Sequence, residues 1–137
     1  MTSILTPVLA LVALTLLVWI WMYATRIPAM RKAGIDPQAA RHPGSLNALP
    51  ASARQVTDNY NHLLEQPTIF YALVFYIVLS GHSDAMQIYL AWTYVGLRLV
   101  HTLIQCTVNI VIARFAVFSI STLVLMVMAG RELLALL

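Results

Sequence analysis

Apolar residues are gathered into four long runs separated by short polar interruptions. Residues 4–24 carry no charged side chain, and Trp19, Trp21 and Tyr23 collect at the C-terminal end of the run. Amphipathic rings of this kind prefer the membrane–water interface. The run is too long for the core of a signal peptide and no basic residue precedes it, so it reads as a retained first helix. A second run, residues 59–80, begins with polar turns (Asp58, Asn59, Asn61, His62, Glu65) before the strongly apolar Ile69–Leu79. Gly81, His82, Ser83 and Asp84 predict a short turn into a third run, residues 85–107. A tight connection around Asn109 leads to the fourth, residues 110–128, which ends at Gly130, Arg131 and Glu132. Each run is close to the roughly 20 residues a helix needs to cross the hydrocarbon of a bilayer.

Between the first two runs, residues 25–58 form the only long loop. Pro28, Pro37, Pro43 and Pro50, with Gly34 and Gly44, predict that no long uninterrupted helix fits there. Five of the eight Lys and Arg residues fall in it: Arg26, Arg31, Lys32, Arg41 and Arg54. The positive-inside rule then places the loop in the cytoplasm and, with four spans, both termini outside. The same charges could serve an inositol lipid or a nucleic acid, but topology already accounts for them, and no nucleic-acid partner is expected.

Composition narrows the class further. Of 137 residues, 61% are hydrophobic and 9% charged, whereas a soluble domain is nearer half apolar and about one quarter charged. An extramembrane enzyme, a nucleic-acid binder and a disulfide-stapled secreted domain are excluded. What remains outside four spans cannot hold a second ordinary domain, so residues 1–137 read as one all-α, integral-membrane four-helix bundle. Cys106, the only cysteine, falls in an apolar run and reads as a small packing residue. With no evident retention or targeting tail, a bacterial inner membrane is the expected location.

Polar residues inside the spans carry the chemistry. An ionisable side chain at depth is costly unless paired or facing a wet cavity. Glu65 lies about two turns into the second span, Arg98, His101 and Gln105 share one face of the third, and Arg114 opens the fourth. On the topology above, all lie near the cytoplasmic face, while the outer halves of the same helices hold almost none. That distribution predicts a recess open to one side. Its donors are two guanidiniums and two imidazoles (His62, His101), with Glu65 as a carboxylate. Arg grips carboxylates and Glu an ammonium, so an anionic, zwitterionic ligand of peptide character fits both. Pro67 cannot donate to the carbonyl of Leu63, which predicts a kink beside Glu65. The competing structural reading is that pairs such as Glu65–Arg98 only bind helices together. A metal site at His62, Glu65 and His101 is disfavoured by the neighbouring arginines, and Ser119 and Ser121 lack the acid partner of a hydrolase. A transporter would need broken-helix pairs and repeats, which are missing here.

The stretch Asp58-Asn-Tyr-Asn-His-Leu-Leu-Glu-Gln-Pro resembles the signature of the MAPEG proteins, the membrane-associated proteins of eicosanoid and glutathione metabolism. Ala91-Trp-Thr-Tyr-Val-Gly-Leu-Arg-Leu-Val-His, then Asn109 and Arg114-Phe115, extend the resemblance over essentially the whole chain. It implies a left-handed four-helix bundle assembled as a homotrimer, with glutathione bound between neighbouring subunits near the cytoplasmic face. Glu65 would meet the amino group of glutathione. Arg98, His101 and Arg114 would surround its carboxylates and thiol, Arg114 in the catalytic role. Arg26, Asn61, His62 and Gln105 complete the implied binding set. The implied reactions are conjugation to a lipophilic electrophile or reduction of a lipid hydroperoxide, with the second substrate arriving through the bilayer. The alternative is a non-catalytic binding or scaffold protein that uses the same pocket for a lipid or a partner. Asn61 and His62 stand where better-known members have arginine and asparagine, Gln105 where they often have tyrosine, and Phe115 in place of a serine. Eicosanoid-specific activities are therefore not implied.

Overall fold

A computed structural model describes residues 3–42 and 44–137; Pro43, assigned above to the loop, lies outside the described residues. Among these residues the regular structure is entirely helical: α1 (Leu5–Lys32), a short 3-10 turn (Pro37–Arg41), α2 (Ala51–Glu65), α3 (Pro67–Leu79), α4 (Ala85–Cys106) and α5 (Val111–Leu134). Three stretches, Leu5–Lys32, Ala51–Leu79 and Val111–Leu134, are long and apolar enough to cross a membrane. The protein is an integral-membrane helical bundle.

The core follows from helical spacing. Leu11, Val18 and Met22 form the buried stripe of α1, Phe70, Val74 and Ile77 that of α3, and Leu125 and Met128 belong to that of α5. Steps of three, four and seven residues keep a side chain on one face of a helix. At the centre Phe70 stacks on Tyr94 of α4, ring centroids 4.6 Å apart. α1 packs chiefly on α2 and α4 chiefly on α5, with further contacts of α1 and α2 on α4. The outward faces carry Leu9, Leu16, Ile69, Ile112 and Leu123, the expected dress of a lipid-facing or subunit-facing surface.

Two expectations change. The first helix does not stop at residue 24 but continues through Arg26 and Pro28 to Lys32, and α2 begins at Ala51, so the non-helical connection is shorter than residues 25–58. Pro28 forfeits one amide hydrogen bond, but its fixed φ is helical, and Ile35 and Gly34, the latter at φ +66°, close the helix end by bonding to Met30 and Arg31. The fourth helix likewise runs past Gly130 to Leu134, since a single glycine costs only about 1 kcal/mol in a helix.

The break at Pro67 is local. Gln66 keeps helical angles (φ −60°, ψ −38°), and Ile69 bonds to its carbonyl, so α3 continues from α2. The connection between α4 and α5 turns at Asn109, whose φ of +48° is a left-handed conformation that asparagine tolerates. At the same end, Gln55 Nε2 donates to the carbonyls of Cys106 (3.0 Å) and Thr107 (3.2 Å), capping α4 from α2.

The far end of the bundle is more polar than expected. Glu132 is buried; its Oε1 accepts from Gln87 Nε2 at 2.6 Å and its Oε2 meets His82 Nδ1 at 2.8 Å. Asp84 caps α4 by accepting from the Gln87 amide at 2.7 Å and pairs with Arg131. Ionisable groups are thus not confined to one end; here they close a helix junction. Glu132→Leu leaves Gln87 only its long 3.4 Å bond to the Met128 carbonyl and should lower stability in detergent by about 2 kcal/mol, with exposed Leu133→Ala as the near-neutral control in the same thermal melts.

Candidate functional site

Residues from α2, α4 and α5 converge near the end of the bundle that holds the long connection. His62, His101, Val111, Arg114, Phe115 and Phe118 line a recess of about 240 Å³. The two imidazoles sit edge to face with ring centroids 5.9 Å apart, and His101 lies 6.3 Å from the ring of Phe118. His62 and Glu65 are one turn apart on α2, so their side chains share a face, and His62 Nδ1 is 3.9 Å from Glu65 Oε2. The Glu65 side chain is 71% exposed. Arg114 Nη1 donates to Asn109 Oδ1 at 2.7 Å, so the tight turn before α5 also fixes its guanidinium.

Arg98 lies behind this recess rather than in its wall. It is fully buried, donates from Nη2 to the His62 carbonyl at 3.3 Å, and stands 6.0 Å from the centroid of Phe118. Its Nε and Nη1, with His101 Nδ1, are buried without a hydrogen-bond partner. Among the described residues no carboxylate comes within 4.0 Å of Arg98. The Glu65–Arg98 helix clamp of the competing structural reading is therefore not formed, and the guanidinium bonds the carbonyl of His62 instead. Gln105 is buried at the end of α4, its Oε1 also unpartnered, outside the recess.

Arg26 and Asn61 separate from this group. They line a second recess, about 390 Å³, between α1, the long connection and α2. The reason is helical geometry: Asn61 and His62 are neighbours in sequence and point about 100° apart on α2.

Supporting residues that the sequence reading passed over lie beneath the recess. Gln66 Nε2 donates to Thr122 Oγ1 at 2.6 Å, and its Oε1 accepts from Tyr94 (3.3 Å) and Ser121 (3.4 Å), joining α3, α4 and α5. Asn59 Nδ2 donates to Thr102 Oγ1 at 3.2 Å. An amide beside a mid-span proline was the signal for Gln66. For Phe118, the signal was its place one turn after Arg114.

Residues 4–134 match the profile of the MAPEG family. The chain belongs to the MAPEG family. This membership agrees with the helical membrane bundle, and MAPEG proteins include glutathione transferases and peroxidases. No curated protein and no solved structure matches the chain significantly.

Proposed function

We propose that this MAPEG protein is a glutathione-dependent transferase or peroxidase acting on lipophilic substrates, with the α2–α4–α5 recess as its site. The observation that carries the reading is the convergence of His62, His101 and Arg114 on one recess, backed by a buried arginine with two unused donors. Such a donor set in an apolar bundle suits an anionic peptide, and glutathione fits it: carboxylates for the cationic groups and an ammonium for Glu65.

Bound glutathione would supply a thiol whose deprotonated form attacks an electrophilic carbon, expelling its leaving group, or a peroxide oxygen, breaking the O–O bond to release the alcohol. In the second case another glutathione converts the resulting sulfenic acid to disulfide and water. Arg114, held in place by Asn109, favours that anion by opposite charge. Arg98 adds positive potential from behind His62 and is a positioning residue, since it has no face on the recess. Phe115 and Phe118 form an apolar wall that keeps water from the reacting groups and admits a lipophilic partner from the bilayer. Glu65, exposed on a single chain, would serve a cleft between copies in a homotrimer; Arg26 and Asn61 would join the ligand only from a neighbouring subunit. The basic end, with Arg26, Arg31, Lys32, Arg41 and Arg54, then faces the cytoplasm.

The test is thermal unfolding of purified protein in detergent. Millimolar glutathione should raise Tm, oxidised glutathione should do so far less, and Arg114→Ala should abolish the shift. No stabilisation of the parent protein would overturn the proposal. Stabilisation without turnover of a chloronitrobenzene electrophile or a lipid hydroperoxide would select the non-catalytic reading.

A further inference from the structure

The helix faces that line the α2–α4–α5 recess continue beneath it. On α2, Gln66 follows His62 by one turn at the C-terminal end; on α5, Thr122 follows Phe118 and Arg114 at the same spacing; on α4, Tyr94 lies two turns before His101. One residue joins the three faces. Thr122 gives its hydroxyl hydrogen to the Phe118 carbonyl at 2.9 Å, so its oxygen is free to accept from Gln66 Nε2 at 2.6 Å. That fixes the amide: its nitrogen is turned to α5 and its oxygen to the Tyr94 hydroxyl, at 3.3 Å. Ser121 donates to the same Phe118 carbonyl at 2.7 Å and reaches Gln66 Oε1 only at 3.4 Å.

This joint sits where α2 is least able to hold its own shape. Pro67 has no amide hydrogen for the Leu63 carbonyl. The carbonyls of His62 and Glu65 on either side take side-chain donors, Arg98 Nη2 at 3.3 Å and Thr68 Oγ1 at 2.6 Å. A proline seam bends more readily than an unbroken helix, and this one follows directly on His62. The position of the His62 wall is therefore set by what ties the seam to its neighbours. Gln66 is the tie that reaches both α4 and α5.

We infer that Gln66 is a positioning residue of the recess: its amide holds the His62 wall of α2 in register with the Arg114 and Phe118 wall of α5. Gln66 itself has no face on the recess. The inference rests on the glutathione reading for its ligand, but not for its geometry. With the tie cut, the two walls are in register for only a fraction of the time. The apparent affinity for a ligand that spans them falls by that fraction, while a filled site reacts as before.

Two measurements test it. Hydrogen exchange read by mass spectrometry, in detergent without ligand, should rise about fivefold at residues 59–66 and 111–122 in both Gln66→Leu and Thr122→Val, the weight of one hydrogen bond. Peptides around Gln87 and Glu132, at the opposite end, should exchange as in the parent protein. In turnover of a chloronitrobenzene, both variants should raise the KM for glutathione about fivefold and leave kcat within about twofold. Tyr94→Phe, which keeps the stack on Phe70, should raise that KM less. Glu132→Leu, which weakens the bundle away from the recess, should leave it unchanged. Exchange unaltered at the two walls in Gln66→Leu and Thr122→Val would overturn the inference, whether or not glutathione binds. So would faster exchange with an unchanged KM, or an equal rise in KM for Glu132→Leu, since Gln66 would then only stabilise the bundle. A parent protein indifferent to glutathione would strike down the proposed function, and the exchange at the two walls would still decide whether Gln66 sets their register.

Discussion

Arg98→Met should make this protein more stable and a poorer glutathione binder. The guanidinium is fully buried, makes one hydrogen bond of 3.3 Å, and leaves Nε and Nη1 unpartnered. Methionine has a similar shape without the charge. Apolar replacement of buried ionic groups is often stabilising, by about 1–4 kcal/mol, and an uncompensated charge lies at the favourable end of that range. The His62 carbonyl loses its extra donor, a smaller effect of about 1 kcal/mol. Glutathione affinity should fall on the order of tenfold as a positive charge behind His62 and His101 disappears from a site of effective dielectric near 20. Thermal melts with and without glutathione separate the two effects. A loss of stability without ligand would show that the His62 carbonyl and the Phe118 ring together compensate the buried charge.

Phe70→Ala should be the most damaging single truncation in the bundle. Phe70 has no exposed surface and stacks on Tyr94, whose hydroxyl leads on to Gln66. In a membrane protein the unfolded side chain also meets an apolar medium, so the loss falls mainly on packing rather than on transfer from water. The cavity left by a benzyl group still costs about 3 kcal/mol. Phe75, half exposed on the same helix, is the control: Phe75→Ala should stay within about 0.5 kcal/mol. Denaturant titration in mixed micelles reads both. An equal loss at Phe75 would mean that another subunit covers that face.

Much of the helical framework could be read from the chain because hydrocarbon length and apolar runs are tightly coupled. The bounds were harder. Pro28 and Gly130 looked like stops, yet a helix already anchored by Met22 or Met128 tolerates one lost bond or one glycine. Within the site, the i, i+3 spacing of His62 with Glu65 and of Arg98 with His101 was visible directly. Which helix faces met was not: Asn61 and His62 are adjacent letters that open on different recesses. Equally hidden was the depth of Arg98, since periodicity gives a direction around the axis and says nothing of what lies in front of it. The buried Gln87–Glu132 contact joins residues far apart in sequence, and Glu132 read only as the polar end of the fourth run.

The chemistry of α4 bears on how the protein is made. Its inward face presents Gln87, Arg98, His101, Thr102 and Gln105, groups that a lone helix would have to expose to lipid during biogenesis. Partners from α2 and α5 satisfy some of them: Asn59 meets Thr102, Glu132 meets the Gln87 amide, and Gln55 covers the carbonyls at the C-terminal end. Membrane integration of α4 is therefore a collective step. The segment has to leave the translocon alongside its preceding helix and reach its final state when α5 arrives, so ribosomes stalled before residue 132 should hold a nascent chain that cellular proteases readily degrade.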